Sequence, residues 1–426
     1  IDFGSQYTQL LAKRIRDIGV YSEVVQFDDK ISLDNVKGII LSGGPDSVYE
    51  EDSPTLDANI LESKLPILGI CYGMQLIARK FGGKVETRDV GEFGKTTIKI
   101  TNKSKLFENT DKEFNVWMSH KDVVVEVPDG FKVTSKTNNG IIASFENVEK
   151  KIYALQFHPE VKHTTFGETI LKNFVIKVCD VNETWKLADF VDEKIKQIRK
   201  TVGDKKAIIA LSGGVDSSVA AILTYKAIGK NLKAIFVNHG LLRLNEAKEV
   251  ENTFKDYFGI DLTVVDAEER FLTKLKGVTD PEKKRKIIGE EFIRVFEEEA
   301  SKETDCEFLV QGTIYSDVIE SAKSGKKTAK IKSHHNVGGL PEDMNLKLIE
   351  PLRELFKDEV RSVGEILGLP REILYRHPFP GPGLAIRIIG EVTKDKLEIL
   401  RKADDIFIKT LKETGWYEKV WQAFAV

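Results

Sequence analysis

The sequence predicts an α/β fold built on parallel sheet, and three observations carry that prediction. Short apolar runs rich in β-branched residues recur at 36–41, 66–70, 207–211, 232–237, 262–265 and 308–311, each the length of a buried strand. Several of these runs end in a turn containing glycine, such as Ser42-Gly43-Gly44, Cys71-Tyr72-Gly73 or Ser212-Gly213-Gly214. Helical stretches follow the turns, so the chain reads as repeated βαβ units, doubly wound in its second half, with ligands at the carboxyl ends of the strands.

Bulk properties narrow the function classes. A chain of 426 residues suffices for two or three domains with ample core. Lysine and arginine number 64 against 67 acidic residues, a balance that argues against a nucleic-acid or membrane-surface protein. Cys71, Cys179 and Cys306 lie far apart, which suggests neither a disulfide framework nor a zinc site and suits a reducing cytoplasm. No apolar run approaches the roughly eighteen residues of a membrane span. The first residue is Ile1, and Val426 falls inside an apolar pattern, so both ends read as cut.

Residues 1–18 read as the tail of a strand, a loop at Gly4-Ser5-Gln6 and an amphipathic helix. The run 36–41 ends in Ser42-Gly43-Gly44-Pro45-Asp46-Ser47. This hexapeptide resembles Ser212–Ser217, yet Pro45 and an acidic stretch follow it, so it reads as a strand-end loop with a different job. Gly69-Ile70-Cys71-Tyr72-Gly73 has the spacing of a nucleophile elbow with cysteine in place of serine. Its glycines permit a sharp strand-to-helix turn, and the start of the following helix, 74–81, favours a thiolate. Short strands are expected from 84 to 157, followed by His158-Pro159-Glu160. In extended chain, residues two apart share a side, so His158 and Glu160 can face one pocket. A base aligned by a carboxylate is what a cysteine nucleophile needs.

Residues 182–201 read as a polar connecting helix, with a boundary near Val181. The second half is organised around Lys206–Ala221, KAIIALSGGVDSSVAA: a strand, a glycine turn, and a helix entered through a serine N-cap at Ser217. Free N–H groups and the helix dipole make such a turn an anion cradle. No Walker lysine precedes the serine, and Asp216 beside phosphates would be repelled unless a divalent cation lay between them. The loop therefore implies a magnesium-bridged polyphosphate with Asp216 on the metal. The turns at 238–243 and 312–317 belong to the same edge. Lys323, Lys326, Lys327, Lys330 and Lys332 precede His334 and His335, a run able to close as a lid over phosphates, with Lys332, His334 and His335 nearest its end. Residues 358–367 read as a helix, and Pro378–Gly383 is a sharp break taken as the second boundary.

The central loop resembles the pyrophosphate loop of the ATP pyrophosphatases, and the order Cys71, His158, Glu160 within residues 1–178 resembles the class I glutamine amidotransferases. The phrases GICYGMQ, LSGGVDSSVAA, FVNHGLLR, GTIYSDVIES, KSHHNVGGLP and HPFPGPGLAIR, in this order, resemble the glutamine-hydrolysing GMP synthetase family along essentially the whole chain. That resemblance implies a ligase using glutamine, ATP, Mg2+ and XMP. It divides the chain into an amidotransferase domain at 1–180, a doubly wound ATP pyrophosphatase domain at 181–377 and the truncated start of a small α+β dimerisation domain at 378–426. It implies a homodimer, and it gives Cys71, His158 and Glu160 the catalytic roles, with Gly44 and Tyr72 supplying oxyanion N–H groups. It makes Ser212, Gly213, Gly214, Val215, Asp216, Ser217 and Ser218 the ATP contacts, joined by Val237 and Gly312, and assigns Arg243, Asp358 and Arg387 to XMP. Ser316 stands where the family often has proline. The alternatives are another amidotransferase with a pyrophosphatase module, such as NAD synthetase, or a non-catalytic nucleotide-binding regulator. Retention of both Cys71 and Asp216 weighs against the regulator.

Overall fold

The computed structural model of the protein describes residues 1–303, 305–323 and 346–426. Contacts divide the chain into two compact units, Ile1–Lys186 and Leu187–Val426.

The first unit opens with α1 (Thr8–Asp17), β1 (Ile39–Leu41), α2 (Ala58–Glu62), β2 (Ile67–Ile70) and α3 (Tyr72–Lys80). A meander follows: β3 (Lys84–Ile100), β4 (Glu113–Glu126), β5 (Lys132–Thr137), β6 (Ile142–Asn147) and β7 (Ile152–Leu155). Helix α4 (Gly167–Lys172) then continues into a π-helical turn over Asn173–Val178. The sheet order is β1-β2-β7-β6-β5-β3-β4. The pairs β1–β2 and β2–β7 are parallel, and those from β7 outward to β4 are antiparallel. Alternation along β2 explains the two-sided core. Leu68 and Ile70 pack with Leu11 and Ile15 of α1, whereas Ile67 packs with Leu76 and Ile77 of α3.

Two expectations are corrected here. The region 84–157 is not a series of short strands only, because β3 and β4 form one long antiparallel hairpin. Gly91 and Gly94 lie inside β3 without ending it. Pairing jumps from Thr87↔Asp122 to Glu92↔His120, so residues 88–91 bulge from the ladder. The connecting helix also begins later than expected, as α5 (Leu187–Val202). The segment before it docks on the first unit instead: the Trp185 N–H donates to the Gly19 carbonyl at 2.8 Å, and the indole lies against Tyr21.

The second unit continues with β8 (Lys206–Leu211), α6 (Val215–Ile228), β9 (Leu232–Asn238), α7 (Glu246–Glu251), β10 (Asp261–Asp266), α8 (Glu268–Leu275) and α9 (Pro281–Ala300). Next come β11 (Cys306–Val310), α10 (Tyr315–Lys323), β12 (Lys347–Ile349), α11 (Lys357–Leu367), α12 (Arg371–Leu374) and α13 (Lys394–Glu413). All pairs in the sheet β10-β9-β8-β11-β12 are parallel. Reversal of strand order about β8 creates a crevice at its carboxyl end, where such sheets bind ligands. Residues beyond 378 share a core with this sheet, because Leu384, Ile388, Leu397 and Leu400 pack with Ile208 and Ile235. Among the described residues no helix is long and apolar enough to cross a membrane.

Gly69 fixes how closely α3 approaches β2. A Cβ on it would lie 2.6 Å from both the Gly73 carbonyl oxygen and Ile77 Cδ1, inside the limit of packing. Gly69→Ala is expected to cost about 1–3 kcal/mol, measured as a fall in thermal melting temperature relative to the parent chain.

Candidate active sites

The first site grows from the β2–α3 junction. Cys71 is the N-cap of α3 at φ 53°, ψ −106°, a left-handed conformation that non-glycine residues rarely hold. Its N–H donates to Leu155 O at 2.7 Å and its carbonyl accepts from Gln75 N, while Gly73 N donates to Ser42 O. These bonds fix the turn from three elements. The Tyr72 N–H, at the first position of α3, has no partner within the helix. Gly44 packs beside it, since a Cβ there would lie 2.7 Å from Phe3 O and 3.3 Å from the Tyr72 ring. The two expected oxyanion donors therefore sit on neighbouring loops.

His158 and Glu160 lie just past β7, in a turn and not in an extended strand, yet they meet: Nδ1–H donates to Glu160 Oε1 at 2.7 Å. Both side chains are buried. The His158 backbone is pinned as well, with its N–H on Trp117 O and its carbonyl accepting from Thr164 Oγ1. Burial alone would push the imidazole pKa down. Hydrogen bonds to Cys71 and Glu160, with the Glu160 charge, outweigh it and raise the value to about 10. Gly43 completes the junction, because a Cβ there would lie 3.1 Å from His158 Cε1. The loop resembling the central hexapeptide thus packs against the Cys71–His158 cluster.

A cavity of about 710 Å³ opens over this trio, lined by Gly44, Ser47, Cys71, Gln75, Asp122 and His158 among others. Asp122 escaped the sequence reading. Its carboxylate accepts from Ser47 Oγ at 2.5 Å and Thr87 Oγ1 at 2.6 Å, and its carbonyl accepts from Gln75 Nε2. Nothing in a lone aspartate on a polar strand signals that convergence.

The second site lies at the end of β8. The sequence reading places the helix start at Ser217, but α6 begins at Val215 with Gly214 as N-cap. The reason is local. Ser212 Oγ accepts from Gly214 N at 3.3 Å, and the hydroxyls of Ser217 and Ser218 return to Gly214 O at 3.1 and 2.7 Å. The serines therefore tighten the turn and do not cap it, and Gly213 takes φ +70° inside it. Gly312 packs against the same turn, since a Cβ on it would lie 3.0 Å from Ser217 N and from the Asp216 carbonyl carbon. Val237 is a core residue packed with Ile208 and Ile235, near the end of β9.

Asp216 has a partner the sequence did not indicate. Lys357 Nζ, at the start of α11, donates to both its carboxylate oxygens at 2.8 and 2.7 Å. Asp358 follows Lys357 in that first turn, away in sequence from the elements that carry Arg243 and Arg387. Those two arginines do converge. Each lies 3.2 Å from a different oxygen of buried Asp404, and both guanidinium groups lie over the Phe379 ring, at 4.7 and 5.0 Å. Their Nη2 atoms are buried without a hydrogen-bond acceptor among the described residues. Buried Lys284 holds the turn that carries Arg387, donating from Nζ to Ala385 O and Ile388 O at 3.1 and 2.7 Å. The expected lid residues Lys332, His334 and His335 lie outside the described residues.

Comparison with known proteins matches residues 1–178 to the family Glutamine amidotransferase class-I and residues 184–291 to the family NAD synthase. Over 426 residues the chain is 74% identical to the GMP synthase (glutamine-hydrolyzing) of Petrotoga mobilis and 62% identical to that of Thermotoga maritima. Over 429 residues it is 59% identical to that of Aquifex aeolicus. Each alignment covers 100% of this chain and 84% of the relative. The NAD synthase match spans only the central loop and its neighbourhood, whereas these relatives match from end to end, so the NAD synthetase alternative is not favoured. The chain belongs to the glutamine-hydrolysing GMP synthase family.

Proposed function

We propose that the protein makes GMP from XMP, with the first unit hydrolysing glutamine and the second adenylating XMP with ATP. The observation that carries the glutaminase half is the strained Cys71 elbow facing the buried His158–Glu160 pair. Cys71 passes its thiol proton to His158 Nε2 and its sulfur attacks the glutamine side-chain carbonyl carbon, forming a C–S bond while the carbonyl π electrons move to the oxygen, an oxyanion taken by the Gly44 and Tyr72 N–H groups. Collapse breaks the C–N bond, and His158 gives its Nε2 proton to the departing nitrogen, releasing ammonia. Water, deprotonated by His158, then attacks the thioester, and glutamate leaves as the sulfur takes back its proton.

In the second unit, Ser212–Ser218 are the ATP contacts, with Gly312 holding the turn and Val237 lining the strand edge. The loop's N–H groups and hydroxyls grip the β and γ phosphates as a leaving unit. The XMP C2 oxygen attacks the α phosphorus, and the bond to the bridging oxygen of pyrophosphate breaks. Ammonia then displaces AMP from C2. The residues fit a Mg2+ ion, because Asp216 already takes a cation on both oxygens in the ammonium of Lys357. When bound, Mg2+ would be held by Asp216 and the phosphates and would neutralise charge on the leaving pyrophosphate. The unpartnered Nη2 groups of Arg243 and Arg387 suit an anionic oxygen of XMP, and Asp358 and the lysine-rich lid belong to the same reading. So do the domain limits 1–180, 181–377 and 378–426, a homodimer formed through the last of these, and a cytoplasmic setting.

Three outcomes test this reading. Cys71→Ala is expected to abolish GMP formation from glutamine while synthesis from added ammonium salt continues; equal loss of both would overturn it. With oxygen-18 on C2 of XMP, the label should appear in AMP and not in pyrophosphate, and Asp216→Ala should suppress the transfer. The third concerns His158, whose folded pKa of about 10 exceeds its ordinary value of 6.5. A raised value means that its stabilisation is fully present below about 6.5 and is lost as pH climbs through 10. The gap in melting temperature between the parent and His158→Gln should accordingly shrink from pH 6.5 to pH 10.

A further inference from the structure

The Cys71 sulfur has a neighbour that neither the elbow nor the catalytic pair accounts for. Gln156 lies between β7 and His158, is fully buried, and is held by its N–H on Ala143 O at 2.9 Å. Its side-chain Nε2 donates toward Cys71 Sγ at 3.7 Å, a normal separation for a sulfur acceptor. The other end of the amide is poorly placed: Oε1 is buried and accepts no hydrogen bond from the described residues. An orphaned buried acceptor is destabilising, and such a group in a folded protein calls for a reason. On another side of the sulfur stands Ser119 O, also at 3.7 Å, which accepts the S–H of the neutral thiol but repels the anion.

We propose that Gln156 is a catalytic residue of the glutaminase site, its amide N–H stabilising the Cys71 sulfur as an anion. This rests on the reading of Cys71 as the nucleophile. The geometry divides the labour. Ser119 O receives the proton-bearing thiol, Gln156 and protonated His158 favour the anion, and the unsatisfied Oε1 is the cost of aiming the donor at sulfur. The opposite orientation would point the amide oxygen at the anion. The ionisable groups around the sulfur are His158 with Glu160 behind it, and Tyr7, Asp46, Glu50, His120, Lys121 and Asp122 around the cavity, none of which a substitution at position 156 replaces.

The test is the pH profile of iodoacetamide alkylation at Cys71, followed by peptide mass in the full chain. Burial pushes the Cys179 and Cys306 thiols up to about 12 and about 11, which leaves Cys71 the reactive site. Gln156→Met keeps shape and neutrality while removing both donor and orphaned acceptor. Its profile should move up by about one pH unit, so that alkylation near pH 7 slows roughly tenfold. Its melting temperature should hold or rise, because the unsatisfied oxygen is gone. Gln156→Glu, which can only accept while ionised, should shift the profile further; if it does not fold, the methionine variant decides alone. An unchanged profile in Gln156→Met, or a slowing matched by a fall in melting temperature, overturns the proposal. Failure of the underlying reading shows separately, as glutamine-dependent synthesis surviving in Cys71→Ala.

Discussion

Close backbone approach at the end of a buried parallel strand is the constraint on which the molecule depends. At the β2–α3 junction, Gly69 and Gly73 let helix and strand come within a distance that any side chain would forbid, since a Cβ on Gly73 would lie 2.5 Å from Leu41 O. That compression holds Cys71 at φ 53°. A residue in this region costs of order 1–3 kcal/mol and persists only where its surroundings over-determine it. Here the surroundings are two glycines, Leu155 O beneath the Cys71 N–H and Ser42 O on the Gly73 N–H. The sheet of the first unit is therefore a clamp, and the placement of the buried sulfur beside the cavity is the product of its pressure.

The second unit solves the same topological problem with less force. Its turn between β8 and α6 uses glycine at φ +70° and lets hydroxyls do the bracing. The contrast follows from what each loop presents. A nucleophile needs one atom aimed with little freedom, whereas a polyphosphate needs several N–H groups spread along an arc. Gly312 shows that the arc is shaped from outside as well, by a neighbouring strand end that lies against it without a side chain between.

Much of this was legible before any coordinates. Buried runs such as 66–70 and 207–211 announce strands because few other patterns combine that length with β-branched residues and glycine turns. The convergence of Cys71, His158 and Glu160 was legible because these residues stand at strand ends, where glycine turns mark the positions that face a common edge. What escaped were contacts joining distant elements. Lys357 reaches Asp216 across 141 positions, and Asp122 gathers hydroxyls from Ser47 and Thr87, 75 and 35 positions away. No periodicity encodes such pairings. The long β3–β4 hairpin was missed for another reason: strands are usually short, and here a bulge at 88–91 lets one ladder continue on both sides of it.

Arg243 and Arg387 share one carboxylate, Asp404, beneath a common aromatic ring. Burial disfavours the charge on Arg387 and neighbouring Arg243 adds to that cost, while Asp404 and Glu246 offset part of it. Whatever anion settles there removes a penalty of the fold itself. Occupancy and folding then become linked quantities, and the folded population rises with ligand concentration by mass action.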